Sequence, residues 1–328
     1  MYETFYGLRE RPFDLTPNPR FLVLTPKHRE ALSNLYFGIA SGKGVTVLIG
    51  EAGTGKTTLL RTVLEAQPRS DALCVHINNP TLTRTEFVEL LARGFGLSEA
   101  AQTSKATLLV ELQRVLEERR ATGRVSVVVI DEAQSLPHEL LEEVRLLANL
   151  ETTEQKLLSV VLAGQPELAD RLNEPKLRQL KQRVALRCEL APLSLDETEA
   201  YIARRLSIAG GNAQDTFTRD SVALVFRASA GIPRLVSVIC DNALISGFAL
   251  EQRPVTRQIV AEVCRDFDLG SARSVDHGAA PAPVTAVPAR VATPTLRPAL
   301  SPLSDSDSTA VTPTTPSWFG FRRRRQVS

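Results

Sequence analysis

The stretch GEAGTGKTT, from Gly50 to Thr58, decides the fold of this chain. It fits the pattern G-x-x-x-x-G-K-[ST], in which two glycines frame a loop that ends in a lysine and a hydroxyl residue. The context also fits, because the apolar run Val45–Ile49 predicts a buried strand before the loop and residues 57–65 predict the start of a helix after it. A strand, a glycine-rich turn and a helix in this order predict a loop that binds phosphate groups.

The residue types of this phosphate loop explain how it would bind a nucleotide. Gly53 and Gly55 let the backbone turn tightly, so that N–H groups and the helix N-terminus face an anion. Lys56 is expected to contact the β- and γ-phosphates of ATP, and the Thr57 hydroxyl to bind Mg²⁺. The nucleotide-binding residues expected in the loop are Gly50, Gly53, Thr54, Gly55, Lys56, Thr57 and Thr58.

A second motif, VSVVVIDE at residues 125–132, is an apolar strand that ends in two acids. Asp131 is expected to hold Mg²⁺ through its water shell, as a Walker-B aspartate does. Glu132 is then placed to polarise the water that attacks the γ-phosphate. Two acids at a strand end say little by themselves, but after a phosphate loop they predict ATP hydrolysis.

The composition indicates a globular chain inside the cell. A hydrophobic fraction of 43% over 328 residues is enough for one or two packed domains. The four scattered cysteines form no C-x-x-C pair, which argues against a zinc knuckle or a disulfide scaffold. No run approaches the ~20 apolar residues of a membrane span, and the charged start MYETFYGLRERPF is unlike a signal peptide. We therefore expect a cytoplasmic location, extended at most to the periphery of the inner membrane.

Strands alternate with helices through the first part of the chain. Helices are predicted from Thr83, where Thr83 and Glu86 form a capping box, and over residues 105–120 and 138–150. This alternation predicts a parallel sheet with helices on both faces and a ligand at the carboxyl ends of the strands. The predicted strands are Val45–Ile49, Leu73–Asn78, Val125–Ile130, Leu157–Ala163 and Val184–Leu190.

The pattern becomes purely helical after Pro192. Ser194 and Glu197 form a capping box, and further helices are expected from Thr218, from Pro233 and over residues 256–267. The region before the first strand, residues 1–40, is rich in proline and aromatic residues and turns helical at Pro26. Its aromatic residues either fix it to the core or also cover a nucleotide base beside the phosphate loop.

The last segment, residues 271–328, is rich in alanine, proline, threonine and serine and has no apolar periodicity. Such a segment buries too little apolar area to offset its chain entropy, so we expect disorder. Seven arginines against three aspartates give it a net +4 and leave −2 for the rest, which is not the charge of a basic nucleic-acid clamp. Its end, WFGFRRRR, is open to three interpretations: a solvated basic terminus, a weak anchor to anionic lipid or hook for a partner, or a nucleic-acid contact.

These segments together resemble the AAA+ ATPases, and more closely the ExeA-like group, which comprises general secretion pathway protein A and related ATPases of pilus and exopolysaccharide systems. The resemblance extends from Met1 to Asp268. It is carried by MYETFYGLRERPFDLTPNPRFLVLTPKHREAL, GEAGTGKTT, VVIDEAQ, LAGQPEL, LRQLKQR and GIPRL.

The resemblance implies further site residues. Gln165 stands where a polar sensor contacts the γ-phosphate, and Arg234 in GIPRL resembles a second sensor that reaches the nucleotide from the helical lid. Arg183 matches the arginine finger that a neighbouring subunit inserts, with Arg178 as its rival; a guanidinium there stabilises charge in the transition state. A finger that acts in trans implies a homo-oligomer.

The resemblance has limits too. ExeA-like proteins often continue into a membrane span and a peptidoglycan-binding domain, and this sequence shows neither. We therefore carry over no wall-binding activity and expect any link to the membrane to be peripheral or through a partner.

The sequence thus predicts an α/β fold: a P-loop NTPase parallel sheet sandwiched by helices (AAA+), followed by a small all-helical lid and a disordered tail. The predicted bounds are 1–40 for the N-terminal segment and first helix, 41–191 for the nucleotide-binding core, 192–270 for the lid and 271–328 for the tail. The predicted function is ATP hydrolysis with Mg²⁺ that drives assembly or remodelling of a bacterial envelope secretion, pilus or exopolysaccharide system.

Two alternatives stay open. One is a DNA-binding ATPase of the transposition or replication-initiator type, for which Arg204, Arg205 and the C-terminal arginines leave room, although DNA is not favoured. The other is a slow nucleotide-dependent scaffold switch, against which Glu132 argues, because a pure switch has less need of a catalytic carboxylate.

Overall fold

Five parallel strands form a single sheet in a computed structural model that describes residues 1–16, 18–66, 72–78 and 81–269. In chain order the strands are β1 (Val45–Gly50), β2 (Ala72–Ile77), β3 (Val125–Ile130), β4 (Ser159–Gly164) and β5 (Val184–Leu190). Their spatial order is β2-β3-β4-β1-β5, and every neighbouring pair is parallel. All five predicted strands and the parallel sheet are therefore confirmed.

Burial along the strands follows their place in the sheet. The three inner strands, β1, β3 and β4, are buried along almost their whole length, and their runs of valine, isoleucine and leucine are typical of strands covered on both faces. The edge strand β5 instead alternates more buried with exposed residues. This order leaves β1, which leads into the phosphate loop, between two neighbours.

The helices cover both faces of the sheet and then form the lid. In chain order they are α1 (Tyr2–Phe5), α2 (Pro26–Ala40), α3 (Lys56–Ala66), α4 (Arg84–Gly94), α5 (Glu99–Thr103), α6 (Lys105–Ala121), α7 (His138–Leu147), α8 (Glu167–Leu172), α9 (Arg178–Lys181), α10 (Leu195–Ile208), α11 (Ala213–Thr216), α12 (Arg219–Ser229), α13 (Pro233–Ala249) and α14 (Arg257–Asp266). Short 3-10 turns lie at Pro19–Phe21, Ala133–Ser135 and Pro175–Leu177.

Local capping signals were reliable guides to the helix starts. Thr83 and Ser194 cap α4 and α10, and each forms the predicted capping box with the glutamate three residues later. Thr25 caps α2 in a similar way, because its side chain accepts a hydrogen bond from the N–H of His28. These caps satisfy N–H groups that the first helical turn leaves without a partner.

Two predicted ends differ from the structure around the connection between α7 and β4. The helix predicted to reach Leu150 ends at Leu147, because the last residues tighten into turns in which Leu150 N–H bonds to the Leu147 carbonyl at 3.1 Å. The strand predicted from Leu157 begins at Ser159, where pairing with Val127 of β3 starts. Leu157 is buried but bonds to Leu150 instead.

Two hydrophobic clusters lie on opposite faces of the sheet. One face carries α2 and α3, which contribute Leu35, Ile39 and Leu60 to a cluster with Leu48 of β1. The other face carries side chains of α4, α6 and α7 packed against alternate residues of the same strands. The predicted layering of helix, sheet and helix is confirmed.

A third cluster holds the lid together, and the N-terminal segment (residues 1–25) takes part in it. Tyr2, Tyr6 and Phe13 are buried among side chains of α10, α12, α13 and α14. The Tyr2 hydroxyl also donates to the Asp241 carboxylate at 2.5 Å. The aromatic residues of this segment therefore pack on the lid, while the domain boundary predicted at residue 40 remains a prediction.

No helix among the described residues is long and apolar enough to cross a membrane. The predicted tail, residues 271–328, and its aromatic and basic end lie outside the residues that the structure describes.

Replacing Phe13 with alanine tests the packing of the N-terminal segment on the lid. The Phe13 side chain is 0% exposed, so the substitution should cost about 3–5 kcal/mol of the free energy of unfolding, because it leaves a cavity. Urea unfolding followed by circular dichroism measures the loss. Phe37→Ala is the matched control, since Phe37 is 51% exposed on α2 and should cost less than about 1 kcal/mol. Equal losses in the two variants would contradict this account.

Candidate active site

The sheet order brings the predicted motifs to one edge. Strand β1 pairs with β4, and β4 pairs with β3, all in parallel. The phosphate loop follows β1, Asp131 and Glu132 follow β3, and Gln165 follows β4. The carboxyl ends of parallel strands meet at the same edge, so these residues lie together where α/β sheets bind ligands.

Two glycines set the path of the phosphate loop. Gly53 and Gly55 have φ values of +84° and +98°, in the left-handed range that residues with a Cβ rarely adopt. A Cβ on Gly53 would also lie 2.7 Å from the Cβ of Arg234 on α13. Glycine at position 53 is therefore required both by the turn and by the close approach of the lid.

Lys56 and Thr54 are buried inside the loop. Lys56 is 5% exposed, and its ammonium donates to the carbonyl oxygens of Gly50 at 2.6 Å and Glu51 at 3.1 Å. Burial lowers the pKa of Lys56, while the Glu132 and Asp131 carboxylates act in the opposite direction. The Thr54 hydroxyl donates to the Glu51 carbonyl at 2.8 Å. These contacts hold the lysine in the middle of the loop, and Thr58 lies half-buried in the first turn of α3.

Thr57 and Asp131 connect the two sequence motifs. The Thr57 hydroxyl donates to the Asp131 carboxylate at 2.9 Å, and the Asp131 N–H bonds to the Ile77 carbonyl at the end of β2 at 3.0 Å. A hydroxyl and a carboxylate are the oxygen donors that Mg²⁺ prefers. The two residues predicted to hold the cation are therefore adjacent and chemically suitable for it.

Two amide side chains hold the carboxylate of Glu132. Glu132 has a left-handed φ of +52°, and its Oε2 accepts hydrogen bonds from Gln134 Nε2 at 2.6 Å and Gln165 Nε2 at 3.3 Å. The bond from Gln134 lowers the pKa of Glu132, against an opposing effect of burial and with further help from Gln165 and Lys56. The lowered pKa favours the ionised form of the Glu132 carboxylate.

A cavity of about 440 Å³ opens beside the phosphate loop, a volume within the usual range for small-molecule sites. Its walls come from three parts of the chain: the N-terminal segment, the phosphate loop and the lid. Asp14 and Phe21 line it from the N-terminal segment, and Tyr201, Arg205 and Ser237 line it from the lid.

Arg205 of α10 ties the lid to the N-terminal segment. Its buried guanidinium donates to the carbonyl oxygens of Pro12 at 2.5 Å and Asp14 at 3.2 Å and to the Tyr201 hydroxyl at 2.6 Å. It also lies 5.1 Å from the centre of the Phe21 ring, within cation–π range. This arginine, a candidate for DNA contact in the sequence, is therefore buried at the cavity, whereas Arg204 is exposed.

Arg234 lies in the first turn of α13, directly beside the phosphate loop. Its backbone N–H donates to the Gly53 carbonyl at 3.2 Å, and its side chain lines the cavity and is exposed. The residue predicted as a second sensor of the nucleotide thus lies next to the phosphate loop, and the sensor role itself remains a prediction.

His28 supports the phosphate loop and was missed by sequence reasoning. Its ring is buried on α2, with Nδ1 2.8 Å from the Thr25 hydroxyl and Nε2 3.2 Å from the Thr54 carbonyl. Burial lowers the pKa of His28, which favours the neutral ring. A histidine in a first helical turn carries no spacing signal toward a loop 26 residues away. Tyr201 was missed as a site residue for the same reason. Gln134 was missed although it lies only two residues after Glu132, because an amide side chain there carries no catalytic pattern of its own.

The two candidate arginine fingers lie away from this cavity. Arg183 directly precedes β5, at the edge of the sheet where Val184 pairs with Val45, and both Arg183 and Arg178 are exposed. Strand β5 has seven residues, which at about 3.3 Å each puts Arg183 roughly 20 Å from the carboxyl edge. Neither arginine serves the cavity of its own chain in this arrangement, and their role in trans stays a prediction.

Comparison with known proteins agrees with this architecture. A family profile described as an AAA domain matches residues 39–172. The chain is 44% identical over 249 residues to General secretion pathway protein A of Aeromonas hydrophila; the match covers 76% of this chain and 45% of that protein, so the chain spans about half the length of this relative.

Solved structures share the fold at low sequence identity. The ORC2 protein of Aeropyrum pernix, in ADPNP–ADP complexes, matches with a TM-score of 0.59 and 18% identity over 78% of this chain and 71% of its own. Cdc6p from Pyrobaculum aerophilum matches with a TM-score of 0.58 and 16% identity over 78% of this chain and 70% of its own. The chain therefore contains an AAA domain and is a homologue of General secretion pathway protein A over 76% of its own length, and the solved structures agree with the fold.

Proposed function

We propose that this chain binds ATP with Mg²⁺ in the cavity beside the phosphate loop and hydrolyses it. The observation that carries the proposal is the 2.9 Å hydrogen bond between Thr57 and Asp131. It joins the phosphate loop to the acids after β3, 74 residues apart in sequence. A phosphate loop alone would support binding, but with two acids beside it the site has the groups for hydrolysis.

Each side chain has a defined part in this proposal. The loop N–H groups and Lys56 hold the phosphates, while Thr57 and Asp131 hold Mg²⁺, which when bound neutralises charge on the phosphate oxygens. Glu132 orients the attacking water and accepts its proton. Gln165 lies at the end of β4 and donates to Glu132, and in this proposal its amide also senses the terminal phosphate.

We also propose that the active form is a homo-oligomer in which Arg183 or Arg178 acts on the site of a neighbour. Both arginines are exposed and lie outside the cavity of their own chain. A guanidinium supplied from a second subunit would stabilise the charge that spreads over the phosphoryl oxygens. Hydrolysis would then depend on assembly.

We infer that the work of the ATPase is the assembly or remodelling of a bacterial envelope system, of the secretion, pilus or exopolysaccharide kind. The support is the 44% identity to General secretion pathway protein A. The chain would act at the cytoplasmic side, at most peripheral to the inner membrane, either through a partner or through the tail that lies outside the described residues. Burial of Arg205 removes one of the arginines that left room for DNA, and the supported carboxylate of Glu132 argues against a slow switch.

Substitution of Lys56 and Glu132 tests the proposed hydrolysis. Lys56→Ala should weaken ATP binding about tenfold or more, because charge-assisted hydrogen bonds are worth about 1.5–3 kcal/mol each. Glu132→Gln should keep binding and lower kcat by about 10²–10⁴-fold, since it removes the general base. Titration of a fluorescent ATP analogue and phosphate release measure the two effects.

Matched controls for these variants are Lys27→Ala and Glu139→Gln, which change exposed residues on α2 and α7. Both controls should bind and hydrolyse ATP like the wild type. Unchanged ATP affinity in Lys56→Ala, or normal turnover in Glu132→Gln, would refute the proposed site.

Mixing of variants tests the finger in trans. Arg183→Ala should lower kcat by about 10³-fold or more, the usual contribution of an arginine finger, without loss of nucleotide affinity. Addition of Lys56→Ala subunits, which carry an intact Arg183 but a disabled loop, should restore part of the activity. Arg178→Ala is measured in the same way to decide between the two arginines. An absence of rescue at any mixing ratio for both would reject the trans arrangement.

Arg205→Ala tests whether the N-terminal segment forms a wall of the nucleotide site. Loss of its bonds to the Pro12 and Asp14 carbonyls should release the segment and raise the Kd for ATP about tenfold, which corresponds to about 1.4 kcal/mol, with kcat at saturation little changed. Arg204→Ala, on the next residue and exposed, is the control, and circular dichroism checks that both variants fold. Equal affinities in the two variants would show that the segment contributes nothing to binding.

A further inference from the structure

We propose that Gln134 is a positioning residue, whose one side-chain amide fixes the carboxylate of Glu132 and the backbone that follows β4 at the same time. This inference rests on the proposed function, because it concerns how the base for ATP hydrolysis is held. Gln134 itself touches no reacting atom; it acts through Glu132.

Both ends of the Gln134 amide are used. Its Nε2 donates to Glu132 Oε2 at 2.6 Å, and its Oε1 accepts from the Gln165 N–H at 3.1 Å. The side chain of Gln165 then donates to the same Glu132 oxygen at 3.3 Å. Two of these three hydrogen bonds link the end of β4 to the end of β3, and two of them share the Glu132 Oε2 atom.

The backbone of Gln134 is anchored as well. Gln134 lies in the 3-10 turn Ala133–Ser135, directly after Glu132. The guanidinium of Arg171 on α8 donates to the carbonyl oxygens of Gln134 and Leu136, each at 2.5 Å. Because α8 begins two residues after Gln165, this arginine closes a second link between the two strand ends.

Gly164 makes room for the Gln134 side chain. A Cβ added to Gly164, the last residue of β4, would lie 2.8 Å from Gln134 Oε1 and 2.9 Å from a methyl carbon of Leu168. Contacts that short must be relieved by movement of the neighbours, and the Gln134 amide is one of the two side chains that would have to move. The absence of a side chain at Gly164 thus leaves the space that the Gln134 amide occupies.

The hydrogen bonds made at position 134 explain why the residue there is a glutamine. The site needs a donor toward a carboxylate and an acceptor toward an N–H on one planar group, which an amide provides. Leucine has a similar size but offers neither. Glutamate keeps the shape and the acceptor but replaces the donor with a second carboxylate beside Glu132. Since a base must stand within hydrogen-bond reach of the water it activates, loss of the donor should displace Glu132 and slow the chemical step alone.

The test compares Gln134→Leu with Gln113→Leu in the full chain. Gln113 is a matched control because its Nε2 also donates to a glutamate, Glu117, at 2.9 Å, but on the exposed face of α6. Gln134→Leu should lower kcat roughly tenfold or more, a part of what a positioned base contributes, while KM and the Kd for an ATP analogue stay within about twofold. Gln113→Leu should behave like the wild type. Gln134→Glu keeps the shape and serves if the leucine variant fails to fold; it should show the same loss of kcat.

A double variant separates a positioning role from a structural one. In the Glu132→Gln background, Gln134→Leu should reduce the residual single-turnover rate by less than about twofold, because residues that act as a unit are not additive. Two results would overturn the proposal. One is a loss of the single-turnover rate in the Glu132→Gln background as large as the loss of kcat in the wild-type background. The other is a kcat within twofold of the wild type for both Gln134 variants. If the wild type hydrolyses no ATP, the proposed function fails and this inference fails with it. If the wild type turns over normally and the Gln134 variants do as well, only this inference is lost.

Discussion

The hydrogen bond between the Thr57 hydroxyl and the Asp131 carboxylate, 2.9 Å long, is the contact on which the arrangement of the site depends. It is available only because β4 alone separates β1 from β3, so that the first turn of α3 faces the residue after β3. The register of the inner strands, set by their buried valines, isoleucines and leucines, therefore fixes the spacing of the groups proposed to hold the cation and the water.

The N-terminal segment adds a wall to the site and connects it to the lid. Its aromatic residues belong to the core of the lid, its carbonyl oxygens bind Arg205, and α2, which follows it, supports the loop through His28. One continuous piece of chain thus contacts the lid, the cavity and the phosphate loop. A ligand that binds the cavity and favours one position of the lid would shift the segment with it, because the three share these contacts.

Features that depend only on residues close together in the chain could be predicted from the sequence. Four of the strands are largely apolar runs, β5 alternates apolar with polar residues over most of its length, and the capping boxes of α4 and α10 need only residues three apart, so local chemistry suffices. Contacts between distant residues could not be predicted: Arg205 bonds to Pro12 across 193 positions, and His28 reaches Thr54 from a helix that carries no ligand pattern. Arg205 therefore looked like a surface arginine in the sequence and is buried in the structure. The N-terminal segment was expected to pack on a core, but only the fold shows that this is the core of the lid.

The segment from Gln165 to Arg183 gives the proposed base and the proposed finger a common support. It starts beside the Glu132 carboxylate, continues through α8, whose Arg171 anchors the turn after Glu132, and ends at the exposed arginines before β5. Buried leucines of α8 and α9 pack it against the core, so it is not a free loop. A neighbouring subunit that contacts Arg178 or Arg183 would act on the same short segment that holds Glu132 in place. Assembly and the placement of the base would then act on one packed segment.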